Sequence, residues 1–241
     1  MIAPSSFPGG TSVTDLAVYA DAAPDGICGG TPHMHLASTE AYVVTAGTGE
    51  LQTIDARGFQ RTPLVPGSVV WFTPGTIHRA VNTGDLRVVV IMSNAGLPEA
   101  GDAVMTFPAD VLADPERYAR AARIPTDAGE RDRAAAAAAR RDEAVRGFDR
   151  IRERVEAGEV DALAEFHAAA VRISAPRAAG WEEIVRQRPL RLAEQAVASA
   201  AAIARGEGDH LAAAQVHVAE TTDGPRGFGM CGRLRPYDVS D

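Results

Sequence analysis

The chain has 241 residues, 46% hydrophobic and 23% charged, which allows one or two domains with a substantial core. A formal charge of -8 argues against nucleic acid or an anionic membrane as partner, and no apolar run approaches the length of a bilayer span. All 24 cationic residues are Arg, which excludes a Schiff-base lysine, and Cys28 and Cys231 are too few for a disulfide framework. Residues 1–20 lack a basic region followed by an apolar stretch, so a cytoplasmic location is expected.

Residues 1–12, rich in Pro, Ser and Gly, read as a loose arm. Residues 13–20 have strand character, and Pro24-Asp25-Gly26 signals a turn. Next comes the stretch with the most chemistry, His33-Met34-His35. Side chains two apart on a strand share a face, so His33 and His35 can present two imidazoles to one ion while Met34 faces the other way. Glu40 has the opposite parity and joins them only if residues 36–39 turn or bulge before the next strand. His78 must arrive from a separate strand after the Pro74-Gly75 turn. Three imidazoles and one carboxylate would result, suited to one divalent transition metal; Fe, Mn, Ni, Co and Zn all fit this donor set.

From there to Asn94, short β-rich runs at 41–46, 50–55, 59–64, 68–72, 78–82 and 86–92 are broken by glycines and prolines. Gly47-Thr48-Gly49, Ala56-Arg57-Gly58 and Gly84-Asp85 read as the turns between them. Strands this short and this regularly broken predict an antiparallel sandwich or barrel, and a jelly roll fits. Tyr42 shares the strand face of Glu40 and is a candidate catalytic residue beside it; Asn82 shares the face of His78. Trp71, Phe72, Asn82 and Met92 are candidate substrate-binding residues, the two aromatics and Met92 as apolar wall.

These residues carry a resemblance. His33-x-His35, Glu40 and Gly47, followed by Gly67, Pro74, Gly75, His78 and Asn82, resemble the two motifs of the cupin superfamily. The glycine expected six residues before the first histidine is Ile27 here, with Gly26, Gly29 and Gly30 nearby, and the usual Pro-x-Gly is contracted to Pro74-Gly75. Both departures concern loop geometry at the mouth of the site; no ligand is touched. The resemblance covers about residues 10–107 and implies a metal-dependent enzyme with a small-molecule substrate. A non-haem oxygenase acting on a chelating organic molecule is the leading expectation. A sugar isomerase or epimerase is the alternative, disfavoured because the strands offer few acids or bases besides Glu40; a non-catalytic binding module is the third.

Beyond Met92 the character changes. Residues 94–102 read as a loop and 106–108 as the close of the barrel. Helices are predicted over 110–122, over 128–157 with Thr126 or Asp127 as cap, over 161–173, and over 181–205 with a kink at Pro189. The alanine run 134–139 has high helix propensity but little to bury, and reads as solvated. Residues 206–241 read as loose, with one short strand at 215–219. The predicted architecture is therefore an N-terminal cupin-type jelly-roll β-barrel over 1–109 followed by a C-terminal α-helical region over 110–241. The helices are expected to cover one barrel face or to join two copies in a homodimer.

Overall fold

The computed structural model describes residues 7–221 and 223–239; the expected N-terminal arm lies outside them as far as Ser6, and a short 3-10 turn, Pro8–Gly10, follows. The strands are β1 (Ser12–Val18), β2 (His33–His35), β3 (Glu40–Asp55), β4 (Gly58–Leu64), β5 (Val69–Phe72), β6 (Ile77–Met92), β7 (Ala103–Met105), β8 (Gly227–Phe228) and β9 (Gly232–Pro236). Every pairing between them is antiparallel, in the order β4-β3-β6-β1-β9-β8, with β2 bridging β6 to β7 and β5 on the free edge of β3. The predicted jelly-roll barrel is the observed one.

Two of the predicted hairpin turns are not turns. Residues 41–46 and 50–55 belong to one 16-residue strand, β3, and 78–82 and 86–92 to another, β6. The two pair along their lengths, with register shifts between Val44 and Gly49 where both bend from one face of the barrel to the other. At this corner Gly47 has φ +72° and lies so close to the partner strand that a Cβ would fall 2.3 Å from the carbonyl oxygens of Gly84 and Asp85. Glycine thus permits a bulged corner, a role sequence alone does not separate from a hairpin. The Ala56-Arg57-Gly58 hairpin is found as predicted, closed by the Asp55–Gly58 pair.

Strand alternation divides the protein into two apolar layers. Tyr42, Val44, Leu51, Val88 and Val90 pack inside the barrel. Met34, Ile54, Ile77, Val104 and Phe107 point outward and meet a helical layer. That layer comprises α1 (Ala109–Leu112), α2 (Pro115–Ala122), α3 (Glu130–Glu156) and α4 (Ala162–Ala178). Phe148 of α3 and Phe166 of α4 are buried in this second core. A buried side chain of this size contributes about 1.5–3 kcal/mol, so several together bind the helices firmly to the barrel.

Helix α3 starts at Gly129, which offers no side-chain cap, rather than at Thr126 or Asp127; Glu130 and Asp132 in its first turn favour the start electrostatically. The helix ends before Gly158, at φ +82°. In the alanine run only Ala137 is buried, so that stretch is largely solvated as expected. The predicted helix 110–122 is two helices, because Asp114 caps α2 by accepting from the backbone N–H groups of Glu116 and Arg117. Helix α4 runs beyond 173 and through Pro176, which offers no N–H to the preceding turn two residues before the helix ends at Ala178. The helix from Trp181 is α5 (Trp181–Val185), a π-helical turn at Arg186–Leu190 that contains Pro189, and α6 (Arg191–Ala204).

The C-terminal segment departs most from expectation. Residues 215–219 form no strand, whereas β8 and β9 form a hairpin whose second strand pairs with β1 from Thr14–Pro236 to Val18–Gly232. The last described residues therefore return to the barrel sheet. A boundary at 109 separates the helices but leaves out this part of the sheet.

Helix α3 comes close to the barrel at Gly147, where a Cβ would lie 1.8 Å from the Thr106 carbonyl oxygen. Thr106 also donates its hydroxyl to the Ala144 carbonyl at 2.9 Å. Gly147→Ala is expected to lower unfolding free energy by about 1–3 kcal/mol through overpacking. Gly129→Ala, with open space around the site, should cost distinctly less in the same denaturant titration.

Candidate metal centre

β2 and β6 bring the first two ligands together directly, because His33 and His78 are register partners. His35 lies two residues along the same face. Residues 36–39 turn between β2 and β3, which corrects the parity of Glu40 and places it opposite Met92. His33, His35, Glu40 and His78 are all buried, with one ligand atom from each within 4.8 Å of the others; among the described residues no second such cluster occurs.

Hydrogen bonds fix what those atoms are. His33 Nδ1 donates to the Thr31 carbonyl at 2.8 Å and His78 Nδ1 to the Thr76 carbonyl at 3.2 Å. A carbonyl only accepts, so both protons sit on Nδ1 and both Nε2 atoms carry lone pairs. Yet the two Nε2 atoms lie 3.1 Å apart. Glu40 Oε2 is 3.2 Å from His78 Nε2 and from His35 Nε2, is buried, and makes no hydrogen bond of good geometry. Lone pairs and a carboxylate facing one another in a dry interior call for a cation, and the residues fit the divalent transition metal that the donor set implies.

A fifth residue of the centre was not singled out from the sequence. Asp102, fully buried just ahead of β7, accepts from His35 Nδ1 at 3.2 Å. It also accepts from the backbone N–H groups of Leu36, Ala37 and Ser38 at 3.0, 2.7 and 3.2 Å. One carboxylate thus orients His35 and ties down the turn that aims Glu40, the role of an outer-shell partner to a metal-binding histidine. The sequence signal was faint: Gly101, at φ +94°, followed by an acid in what reads as loop.

Electrostatics agree with this arrangement. Burial lowers the His35 pKa, but the Asp102 hydrogen bond and the Glu40 carboxylate outweigh it and bring the value to about 9 in the metal-free protein. Burial and the neighbouring imidazoles keep His33 well below the usual histidine range. Burial raises Glu40, but the adjacent His35 and His78 rings outweigh that and hold its carboxyl well below the ordinary range.

A cavity of about 240 Å³ adjoins His33, His35 and Glu40, with Leu16, Val90 and Met92 in its wall. Of the other candidates, Met92 lies in this wall. Phe72 is buried, with its ring centroid 4.1 Å from that of His78 and 5.4 Å from that of Tyr42. Tyr42 is buried, and its hydroxyl lies 3.2 Å from Cys231 Sγ. Burial first, then Cys231 and Glu40, hold that phenol well above its ordinary pKa, so it is neutral at physiological pH. Two candidates are corrected. Trp71 pairs with Ala41, on the opposite face from the Glu40–Phe72 pair, and is 69% exposed outside the barrel. Asn82 secures its own corner, donating to the Val18 carbonyl and accepting from the N–H groups of Gly84 and Leu86, away from the metal cavity. His167 bonds the Gly75 carbonyl at 2.9 Å and so links α4 to the turn before β6.

Residues 21–93 match the family described as the cupin domain. The chain carries a cupin domain. No curated protein matches the chain at a significant level. Among solved structures, the chain is similar to the Streptomyces nucleoside dehydratase Pac13, at 16% identity over 43% of this chain and 70% of that one, with a TM-score of 0.31. It is also similar to the TDP-fucose-3,4-ketoisomerase WlaRA of Campylobacter jejuni, at 12% identity over 38% and 64%, with a TM-score of 0.32. A predicted oxalate decarboxylase of Thermotoga maritima matches at 19% identity over 34% and 64%, with a TM-score of 0.26.

His35→Ala and His78→Ala are expected to abolish stoichiometric metal binding, and Asp102→Asn to weaken it by about 10–100-fold. Chelator competition measures both, and unchanged affinity in Asp102→Asn would remove that residue from the centre. The pH dependence has two signs. In the metal-free protein the raised His35 pKa stabilises the fold fully below an unfolded value of about 6.5, and that stabilisation is lost as pH rises through about 9. An incoming ion must displace the same proton, so affinity should climb as pH approaches 9, with a proton released on binding at neutral pH. Calorimetry in buffers of different ionisation enthalpy reads that proton.

Proposed function

We propose that this cupin is a metal-dependent enzyme in which His33, His35, Glu40 and His78 hold one divalent transition metal beside a cavity for a small chelating organic molecule. The observation that carries the reading is the convergence of four buried ligand atoms within 4.8 Å of one another, with His33 and His78 each turning Nδ1 to a backbone carbonyl and Nε2 to the shared centre. When bound, the ion supplies Lewis acidity and, if it is redox-active, electron transfer to dioxygen.

The chain's own residues favour an oxygenase. Leu16, Val90 and Met92 give the cavity an apolar wall. Tyr42, neutral through burial, can donate a proton at physiological pH but not accept one. Glu40 is committed to the ion. Among the described residues no other ionised side chain inside the barrel adjoins this cavity to shuttle a proton, as isomerisation would require.

One observation favours the second reading, a metal-dependent isomerase or epimerase. Glu99 lines the cavity at its exposed mouth, on the π-helical turn Pro98–Asp102, and is the acid there not committed to the ion. It is a candidate proton acceptor that the strand pattern did not reveal.

Reconstitution with Fe, Mn, Co, Ni or Zn, followed by oxygen-electrode screening against enols, diketones, catechols and thiols, tests the first reading. NMR screening of sugar phosphates for isomerisation tests the second. The expected result is oxygen uptake with a redox-active ion, retained in Glu99→Gln. Isomerisation abolished by Glu99→Gln would transfer the assignment, and tight binding without turnover would make the protein a binding module.

We also propose a homodimer formed through α6, which buries none of its residues and leaves Val197 and Ile203 71% and 59% exposed. Light scattering at micromolar concentration should give twice the chain mass, falling to the chain mass in Val197→Glu.

A further inference from the structure

The metal cavity is not walled by the N-terminal barrel alone. Gly229, Met230, Cys231 and Leu234, from the hairpin of β8 and β9, line it opposite the histidines. These residues lie more than 120 positions beyond β7 in the sequence.

The hairpin is fastened at its turn. Arg140 of α3 and the hydroxyl of Tyr19 both donate to the Gly229 carbonyl, at 2.6 and 3.0 Å. Thr31 N–H donates to the Met230 carbonyl at 2.8 Å and Tyr19 N–H to the Cys231 carbonyl at 3.3 Å. The hairpin's neighbours are shaped for close approach: a Cβ on Gly30 would lie 2.6 Å from Cys231 Cα, and one on Gly232 would lie 2.1 Å from the Ala17 carbonyl oxygen. Arg140 is 9% exposed and reaches the hairpin from the helical layer. A buried guanidinium spent on one turn carbonyl is costly unless the position of that turn matters.

We infer that residues 229–234 are a strap that closes the metal cavity and sets the size of molecule admitted, with Leu234 as its gauge and Arg140 and Tyr19 as its positioning residues. The inference rests on the reading of His33, His35, Glu40 and His78 as a metal centre.

The test uses the full chain loaded with Co(II), with acetohydroxamate and benzohydroxamate as small and large chelating probes followed in the visible spectrum. Wild type should bind acetohydroxamate and discriminate against benzohydroxamate. Leu234→Ala should raise benzohydroxamate affinity by about tenfold or more while leaving acetohydroxamate nearly unchanged, as expected when a pocket wall recedes. Arg140→Ala should keep full cobalt stoichiometry yet lose cobalt to EDTA faster, with Arg140→Lys restoring part of the retention. Tyr19→Phe provides the same reading should Arg140→Ala fail to fold. Unchanged probe selectivity in Leu234→Ala, or an unchanged rate of cobalt loss in the positioning variants, would overturn the strap. Failure of wild type to take up cobalt would instead overturn the metal centre beneath it.

Discussion

The candidate metal centre gathers buried donor groups whose electrostatic conflict a cation would resolve. The Nε2 lone pairs of His33 and His78 face each other at 3.1 Å, and the Glu40 carboxylate sits 3.2 Å from two imidazoles, all buried. Backbone carbonyls hold the other ring nitrogens, so neither His33 nor His78 can relieve the conflict by exchanging tautomers. In the metal-free protein a proton on His35 supplies part of the missing charge, which is why Asp102 and Glu40 together raise its pKa. A metal held here would compete with that proton for one position.

Strand geometry makes this arrangement possible without a dedicated scaffold. On β2, His33 and His35 point inward while Met34 points out to the helices, and on β6 His78 points inward while Ile77 points out. The residues that build the metal centre thus alternate with those that anchor the helical layer. A one-residue slip of either strand would turn imidazoles into the apolar outer layer and Met34 or Ile77 into the site. Packing of Phe148 and Phe166 against the outward set consequently protects the register that brings the ligands together.

The same layer reaches the cavity by a second route. Arg140 and Arg141, adjacent on α3, are both buried and both spend their guanidinium groups on backbone carbonyls of other segments: Arg140 on Gly229, Arg141 on Asp21 and Ala22. One helix thereby fixes the loop after β1 and the hairpin before the C-terminus. The catalytic reading therefore extends beyond the matched residues 21–93, because part of the cavity wall comes from the end of the chain.

Much of this was legible before any coordinates. The four candidate ligands, the opposite facing of Met34, the need for a turn before Glu40 and the change from barrel to helices all follow from side-chain parity and residue chemistry, which act over a few positions. Other features depend on contacts between distant segments. Asp102 acquires its role only when β7 pairs with β2, and Cys231 and Leu234 reach the cavity only when β9 pairs with β1. Trp71 and Asn82 were misplaced because parity fixes a face but not which side of a bent sheet that face will meet. Gly47 and Gly84 read equally well as turns or as a bulged corner, and the continuous pairing of β3 with β6 decided the matter. Local pattern determined the ligands and the fold class. Tertiary pairing decided the outer shell and the cavity wall, because the energies that place those groups arise between residues far apart in sequence.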